Sequence, residues 1–216
     1  MPKGNIIYLA SSSPRRIELL ERAGIPFAKV MKEEFAEENT FDLSPAEYAT
    51  WLALCKASKA LDIENGFVLG ADTIVVQRGD IMEKPDDIKH AKEHLSRLSG
   101  KWHTVITALA LVRYPEGMAE LEDSPPEKII GKLSANRMTA FEATRVLFSN
   151  LTEEEIDAYV SSREPSDKAG AYGIQEKGAL LVERVEGCFY NVVGLPLFRL
   201  MKVLGEFGLD RLSFLK

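Results

Sequence analysis

The sequence predicts an α/β fold around a mixed sheet, and three observations predict it. Short apolar runs rich in β-branched residues alternate with amphipathic stretches of helical period. Helix-start signals stand at the head of several of those stretches: Ser before Pro, or Ser or Thr followed three residues later by Glu. The 216 residues include 45% hydrophobic and 28% charged side chains, the balance of an ordinary globular protein. That length suits one large domain or two small lobes sharing a cleft, and neither a repeat nor a linker divides the chain.

Taken in order, Ile6 to Ala10 ("IIYLA") is expected to form a buried strand. Ser13 as N-cap and Pro14 at the first helical position open a helix that Gly24 closes. A second strand is expected over residues 25–31. Residues 44–61 give the clearest helix: Ser44 and Glu47 make a capping box, Pro45 sits at N1, and Tyr48, Leu52 and Cys55 share a face beside Trp51. Residues 66–85 read as a strand, a break that Gly70 permits, more strand, and a turn at Arg78-Gly79-Asp80. A helix over 86–98, strands over 103–113 and 137–149, and a helix over 152–163 with a Thr152–Glu155 capping box follow. The last helix runs from near Leu195 to near Glu206. Between the two later strands, residues 114–136 are polar, hold three prolines, and read as a long surface excursion.

Charge and composition exclude several classes. Net charge is −6, from 27 Lys and Arg against 33 Asp and Glu, which argues against non-specific nucleic-acid binding and leaves no polybasic membrane patch. The two cysteines, Cys55 and Cys188, suit reduced thiols and not a disulfide framework. No apolar run reaches the roughly 18 residues of a membrane-spanning helix. The amino-terminal stretch lacks the pattern of a secretion signal, so the cytoplasm is the expected compartment.

Four places could hold chemistry. In "LASSSPRR", Arg15 and Arg16 fall in the first turn of a helix, against the positive pole of its macrodipole, at a cost of about a few tenths of a kcal/mol. An anion from outside the chain would offset that cost. A strand end, a small-residue loop and a helix N-terminus converge free N–H groups; Ser11, Ser12 and Ser13 add hydroxyls, and the arginines add bidentate forks. A solvated arginine pair on a capped helix is the plain alternative. No GxxxxGK[ST] loop occurs, so P-loop hydrolysis is excluded.

Asp72 is the single acid in the apolar run "FVLGADTIVV". Burying a carboxylate without a partner is expensive, so Asp72 either faces a cleft at a strand break or pairs with a cation; Thr73 beside it offers a hydroxyl. A dehalogenase-type nucleophile would need a second Asp where Ile74 stands, which leaves Asp72 as a general base, a metal ligand or a structural loop cap. Lys56 follows the apolar stripe of its helix, Lys84 is held in a turn by Pro85, and Lys168 lies in the small-residue loop "DKAGAYGIQ", where Gln175 has an amide able to read a base edge. "HAKEH" (90–94) matches an inverted zinc-peptidase pattern, but it needs a third ligand, and Lys89 and Lys92 mark a charged outer face.

Together "LASSSPRR", "GADTIVV", "EKP", "LSGKWHTVITALAL", "SDKAGAYGIQEKGALLVERVEG" and "YNVVGLPL" resemble, in order and spacing, the motifs of the Maf family over residues 5–205. The resemblance implies a single Maf-like domain over 1–216, a mixed α/β structure of two lobes around a central cleft, similar to inosine-triphosphate pyrophosphatases, and a homodimer. It implies a nucleoside-triphosphate pyrophosphatase that cuts between the α and β phosphates with a divalent metal, Mg²⁺ or Mn²⁺. It makes Asp72 the proton acceptor and, with Glu37, a metal ligand; Glu33, Glu34 and Glu38 are alternatives to Glu37 in register. Ser11, Ser13, Arg15 and Arg16 map onto the phosphate loop, and Lys56, Lys84 and Lys168 onto the cleft lysines. Thr73 and Gln175 match the branch acting on dTTP and UTP, as distinct from the branch resembling 7-methyl-GTP pyrophosphatases; modified pyrimidine nucleotides are further candidate substrates. The 114–136 excursion is longer than the family usually shows, and Cys188 and Phe189 stand where an acidic or polar residue and an aromatic are more usual. A nucleotide-binding regulator of cell division with vestigial hydrolysis is the alternative reading, against which the intact set Asp72, Lys84 and Lys168 speaks.

Overall fold

Strand β1 (Ile7–Leu9) pairs in parallel with β2 (Ala28–Lys29) on one side and β3 (Gly66–Gln77) on the other. The computed structural model describes residues 6–30, 42–60, 63, 65–118, 134–209 and 211–215. Strand β4 (Asp80–Met82) pairs antiparallel with β3, and β7 (Val182–Glu186) pairs antiparallel with β6 (Arg137–Phe148). With β5 (Trp102–Tyr114) these make one mixed sheet of order β2-β1-β3-β5-β6-β7, with β4 on β3. Strands β3 and β5 are buried on both faces over most of their length, as strands covered by helices must be.

The described residues within Met1–Asp72, Thr107–Phe141 and Gly194–Lys216 form one compact unit, and those within Thr73–Ile106 and Glu142–Val193 a second. The first contains α1 (Pro14–Arg22), α2 (Pro45–Ser58) and α6 (Leu197–Glu206), and buries Ile7, Leu9, Phe67, Leu69 and Leu109 completely. The Phe67 ring meets Phe207 edge-on at 5.2 Å, and the Arg113 guanidinium lies 4.8 Å over Phe67. The second contains α3 (Ile88–Leu98), α4 (Glu153–Ser161) and α5 (Phe189–Val193). Its core joins Leu95, Leu98, Val105, Val146, Phe148, Ile156 and Tyr172. There the His103 ring sits edge-on to Phe148 and Tyr172, with Nε2 2.8 Å from the Tyr172 hydroxyl. Burial lowers the His103 pKa to about 4.

The capping boxes expected at Ser44–Glu47 and Thr152–Glu155 both form. The tight turn lies at Arg78 and Gly79, whose φ values of 54° and 94° suit the two-residue hairpin that pairs Gln77 with Asp80. Three expectations differ from the structure. Strand β2 covers two residues where seven were expected (residue 31 lies outside the described residues). Strand β3 runs unbroken through Gly70. Residues 164–193, left without elements by periodicity, form short 3-10 turns at Glu164–Asp167, Ala169–Ala171 and Lys177–Leu181, then β7 and α5. Residues 119–133 of the excursion lie outside the described residues. No helix among the described residues is long and apolar enough to cross a membrane.

Candidate active site

The register of the first three strands sets the site. Leu9 stands opposite Leu69, and the Ala10 amide donates to the Leu69 carbonyl at 2.9 Å. At that level β1 ends and the chain turns into Ala10–Ser13, while β3 continues as strand to Asp72 and beyond. Asp72 is three residues past Leu69, about 10 Å along β3, on a strand about 4.8 Å from β1. The connection from β1 leads to β2 on one side, whereas β3 borders β5 on the other. Open α/β sheets bind ligands beyond the carboxyl ends of their strands, and the end of β1 is such a place.

Gly70 explains how a cation reaches Asp72. A Cβ at Gly70 would stand 2.1 Å from the Ala53 carbonyl oxygen and 2.9 Å from the Ala57 amide nitrogen, so α2 lies directly on β3. Gly70 and Asp72 are two apart and share a strand face; Ala53, Lys56 and Ala57 share a helix face. Lys56 Nζ therefore meets Asp72 Oδ1 in a buried ion pair. Of the two placements the sequence allowed for Asp72, the structure has the cation pair and no strand break. Gly70 provides close approach of a helix.

The arginine loop also differs from the first expectation. Ser13 stands at the N-cap of α1, but its hydroxyl makes no capping bond; its amide donates to Ser11 Oγ at 3.3 Å. Arg16 is buried, and its Nε donates to the Gly194 carbonyl at 2.8 Å while Nη1 donates to Ser11 Oγ at 3.0 Å. A carbonyl dipole and a hydroxyl inside the chain thus offset part of the charge assigned wholly to an outside anion. Arg15, one residue earlier, is half-buried.

In the second unit the Gly170 amide donates to the Glu83 carbonyl at 3.1 Å, which ties the turn bearing Lys84 to the loop bearing Lys168. Lys84 is exposed. Lys168 Nζ donates to the Glu164 carbonyl at 2.6 Å and to Asp167 Oδ1 at 2.8 Å. Gln175 is exposed and Thr73 half-buried. Glu37, with Glu33, Glu34 and Glu38, lies outside the described residues.

His90 and His94 lie together on α3. His90 Nδ1 lies 3.1 Å from Asp86 Oδ2, the His90 and His94 rings meet edge-on at 4.3 Å, and burial lowers the His94 pKa, with His90 adding to the effect. Among the described residues no group of three His, Cys, Asp or Glu side chains could hold a metal ion.

Glu164 and Asn191 are among the buried polar residues that the sequence does not single out. Glu164 accepts from three donors inside the 159–178 segment, and Asn191 Nδ2 donates to the Val105 carbonyl and to Thr144 Oγ1, each at 2.9 Å. A lone amide in "CFYNVVG" was a signal for Asn191; Glu164 precedes Pro165 in a polar stretch and gave none.

Comparison with known proteins adds an independent line. The family model described as Maf-like protein matches residues 6–207. A protein of Bacillus thuringiensis subsp. konkukian named dTTP/UTP pyrophosphatase is 43% identical over 205 residues, covering 94% of this chain and 96% of that protein. One of the same name from Bacillus anthracis matches to the same extent. Another, from Acetivibrio thermocellus, is 44% identical over 215 residues, covering 96% and 98%.

Proposed function

The chain belongs to the Maf family, and on that premise we propose that it is a nucleoside-triphosphate pyrophosphatase acting on dTTP and UTP. The observation that carries this reading is the buried Lys56–Asp72 pair, on the strand that pairs with β1, the strand leading into the Ser11–Arg16 loop. Hydrolysis at the α-phosphorus requires a water in line with the leaving pyrophosphate and neutralisation of the triphosphate charge; positioning and electrostatics supply most of the rate. Asp72 takes the proton of the attacking water. Lys56 holds the carboxylate through Oδ1 and so fixes the direction of its other lone pairs. The hydroxyls of Ser11 and Ser13 and the guanidinium groups of Arg15 and Arg16 hold phosphate oxygens, and Lys84 and Lys168 add positive charge. Thr73 and Gln175, which match the dTTP/UTP branch, take the role of reading the base.

Asp72 suits a divalent metal as one oxygen ligand. A carboxylate has two oxygens and about four lone-pair positions, of which Lys56 takes one, so Asp72 keeps oxygen donors for a hard cation. Mg²⁺ typically binds through one or two carboxylates, waters and substrate phosphates, a pattern Asp72 with Glu37 would satisfy. When bound, such a metal supplies charge neutralisation and a more acidic water.

The test is release of pyrophosphate and of orthophosphate from dTTP, UTP, CTP, GTP and ATP, with and without Mg²⁺. The expected result is pyrophosphate, fastest from dTTP and UTP, and only with the metal. Orthophosphate as the product would place the cut at the outer phosphates and overturn the reaction; a purine preference would overturn the pyrimidine assignment.

A further inference from the structure

The loop bearing Lys168 and Gln175 is clasped at both ends by one buried acid. Glu164 Oε1 accepts the Tyr159 hydroxyl at 3.0 Å and the Gly178 amide at 3.2 Å, while Oε2 accepts the Lys177 amide at 3.0 Å. The Tyr159 hydroxyl in turn accepts the Gly173 amide at 3.1 Å. Among the described residues every partner of the carboxylate is a donor, so both oxygens act as acceptors, and none of those donors is a cationic side chain. The adjacent cation, Lys168, gives its ammonium to the Glu164 carbonyl and to Asp167. Its stem runs under Gly173, with Cε 2.7 Å from where a Cβ on that glycine would stand. One residue thus contributes its backbone to Lys168 and its side chain to the amides two and three positions beyond Gln175.

We propose that Glu164 is a positioning residue for nucleotide recognition: it sets the loop geometry in which Lys168 and Gln175 meet the substrate. The proposal rests on the roles given to those two residues above. A carboxylate that served only to fill the core would influence the amount of folded protein; one that sets the loop influences which nucleotide is held, and how tightly.

Glu164→Gln keeps the shape but turns one acceptor into an NH₂ group facing an amide donor. The measurement is steady-state pyrophosphate release from UTP, dTTP and CTP, normalised to folded protein, with hydrogen exchange at Lys177 and Gly178. A hydrogen bond to a charged group is worth enough that its loss should raise KM for UTP and dTTP by about tenfold. The preference for UTP over CTP should shrink, kcat should change less than KM, and the two amides should exchange faster. Unchanged KM and ranking, or an equal loss of Vmax on every nucleotide, would overturn the proposal. Should that variant not fold, Tyr159→Phe removes one donor to Oε1 and the acceptor for Gly173; it should shift KM in the same direction by less, and an unchanged KM and ranking there would also overturn it. A wild-type protein inactive on every triphosphate would sink the pyrophosphatase reading itself and this inference with it, whereas an active wild type with indifferent variants sinks the inference alone.

Discussion

Lys56→Met is the most informative single change, because two readings of the ion pair give magnitudes that do not overlap. Methionine keeps most of the stem and deletes the ammonium. The side chains of Lys56 and Asp72 are only 11% and 9% exposed, so the carboxylate left behind would stay inside the protein without a counter-charge. Removing one partner of a buried pair costs about 3–5 kcal/mol, whereas an exposed pair is worth about 0–1 kcal/mol. For a chain of this size each kcal/mol lowers Tm by about 2–4 °C, so the expected drop is about 6–20 °C. Thermal or urea unfolding at neutral pH reads it. Adding Asp72→Asn to the same chain removes the stranded charge and should restore most of the stability without restoring turnover. A Lys56→Met protein that melts within about 2 °C of wild type would refute the reasoning, since the pair would then be exposed in solution.

Three further changes probe other parts of the account. Gly70→Ala places a Cβ 2.1 Å from the Ala53 carbonyl oxygen, a backbone atom that cannot swing aside, so α2 must shift and carry Lys56 with it. A loss of about 1–3 kcal/mol by chemical denaturation is expected, with lower turnover; wild-type stability would contradict the contact. His103 has a pKa lowered to about 4 by burial, so between its ordinary value near 6.5 and about 4 the unfolded chain binds a proton that the native one does not. Stability from this group is present above that window and falls with falling pH through it, by about 1.4 kcal/mol per unit. His103→Phe should flatten that slope in urea unfolding at a series of pH values, and a slope that persists would assign it elsewhere. Gln175→Ala should alter the ranking of bases in the pyrophosphate assay more than the rate on the best one; an equal fall on all nucleotides would remove its role in base reading.

What the sequence disclosed follows from how local each signal is. The helices of the first unit and both capping boxes were legible because a cap is written within four residues. The hairpin at Arg78 and Gly79 was legible for the same reason. Asp72 stood out as one acid in a long apolar run, but its partner could not be read there. The Lys56 contact depends on a helix 16 residues earlier lying flush on the strand at Gly70, and a glycine in a strand suggests a break as readily as a close approach. The 164–193 segment stayed unread because its turns are three to five residues long and leave no period. Its order comes from Glu164, which binds amides across the loop and carries no local pattern. Local sequence points Arg16 at an outside anion because Gly194, its carbonyl partner, is 178 residues away.

Pre-steady-state release of pyrophosphate from saturating UTP and Mg²⁺, comparing wild type with Asp72→Asn, tests the central claim most directly. Asparagine is isosteric, keeps an oxygen for Lys56 and cannot take a proton, so the chemical step should slow by about 10²–10⁴-fold while UTP binding is largely retained. A variant that releases pyrophosphate at close to the wild-type rate would show that the proton goes elsewhere.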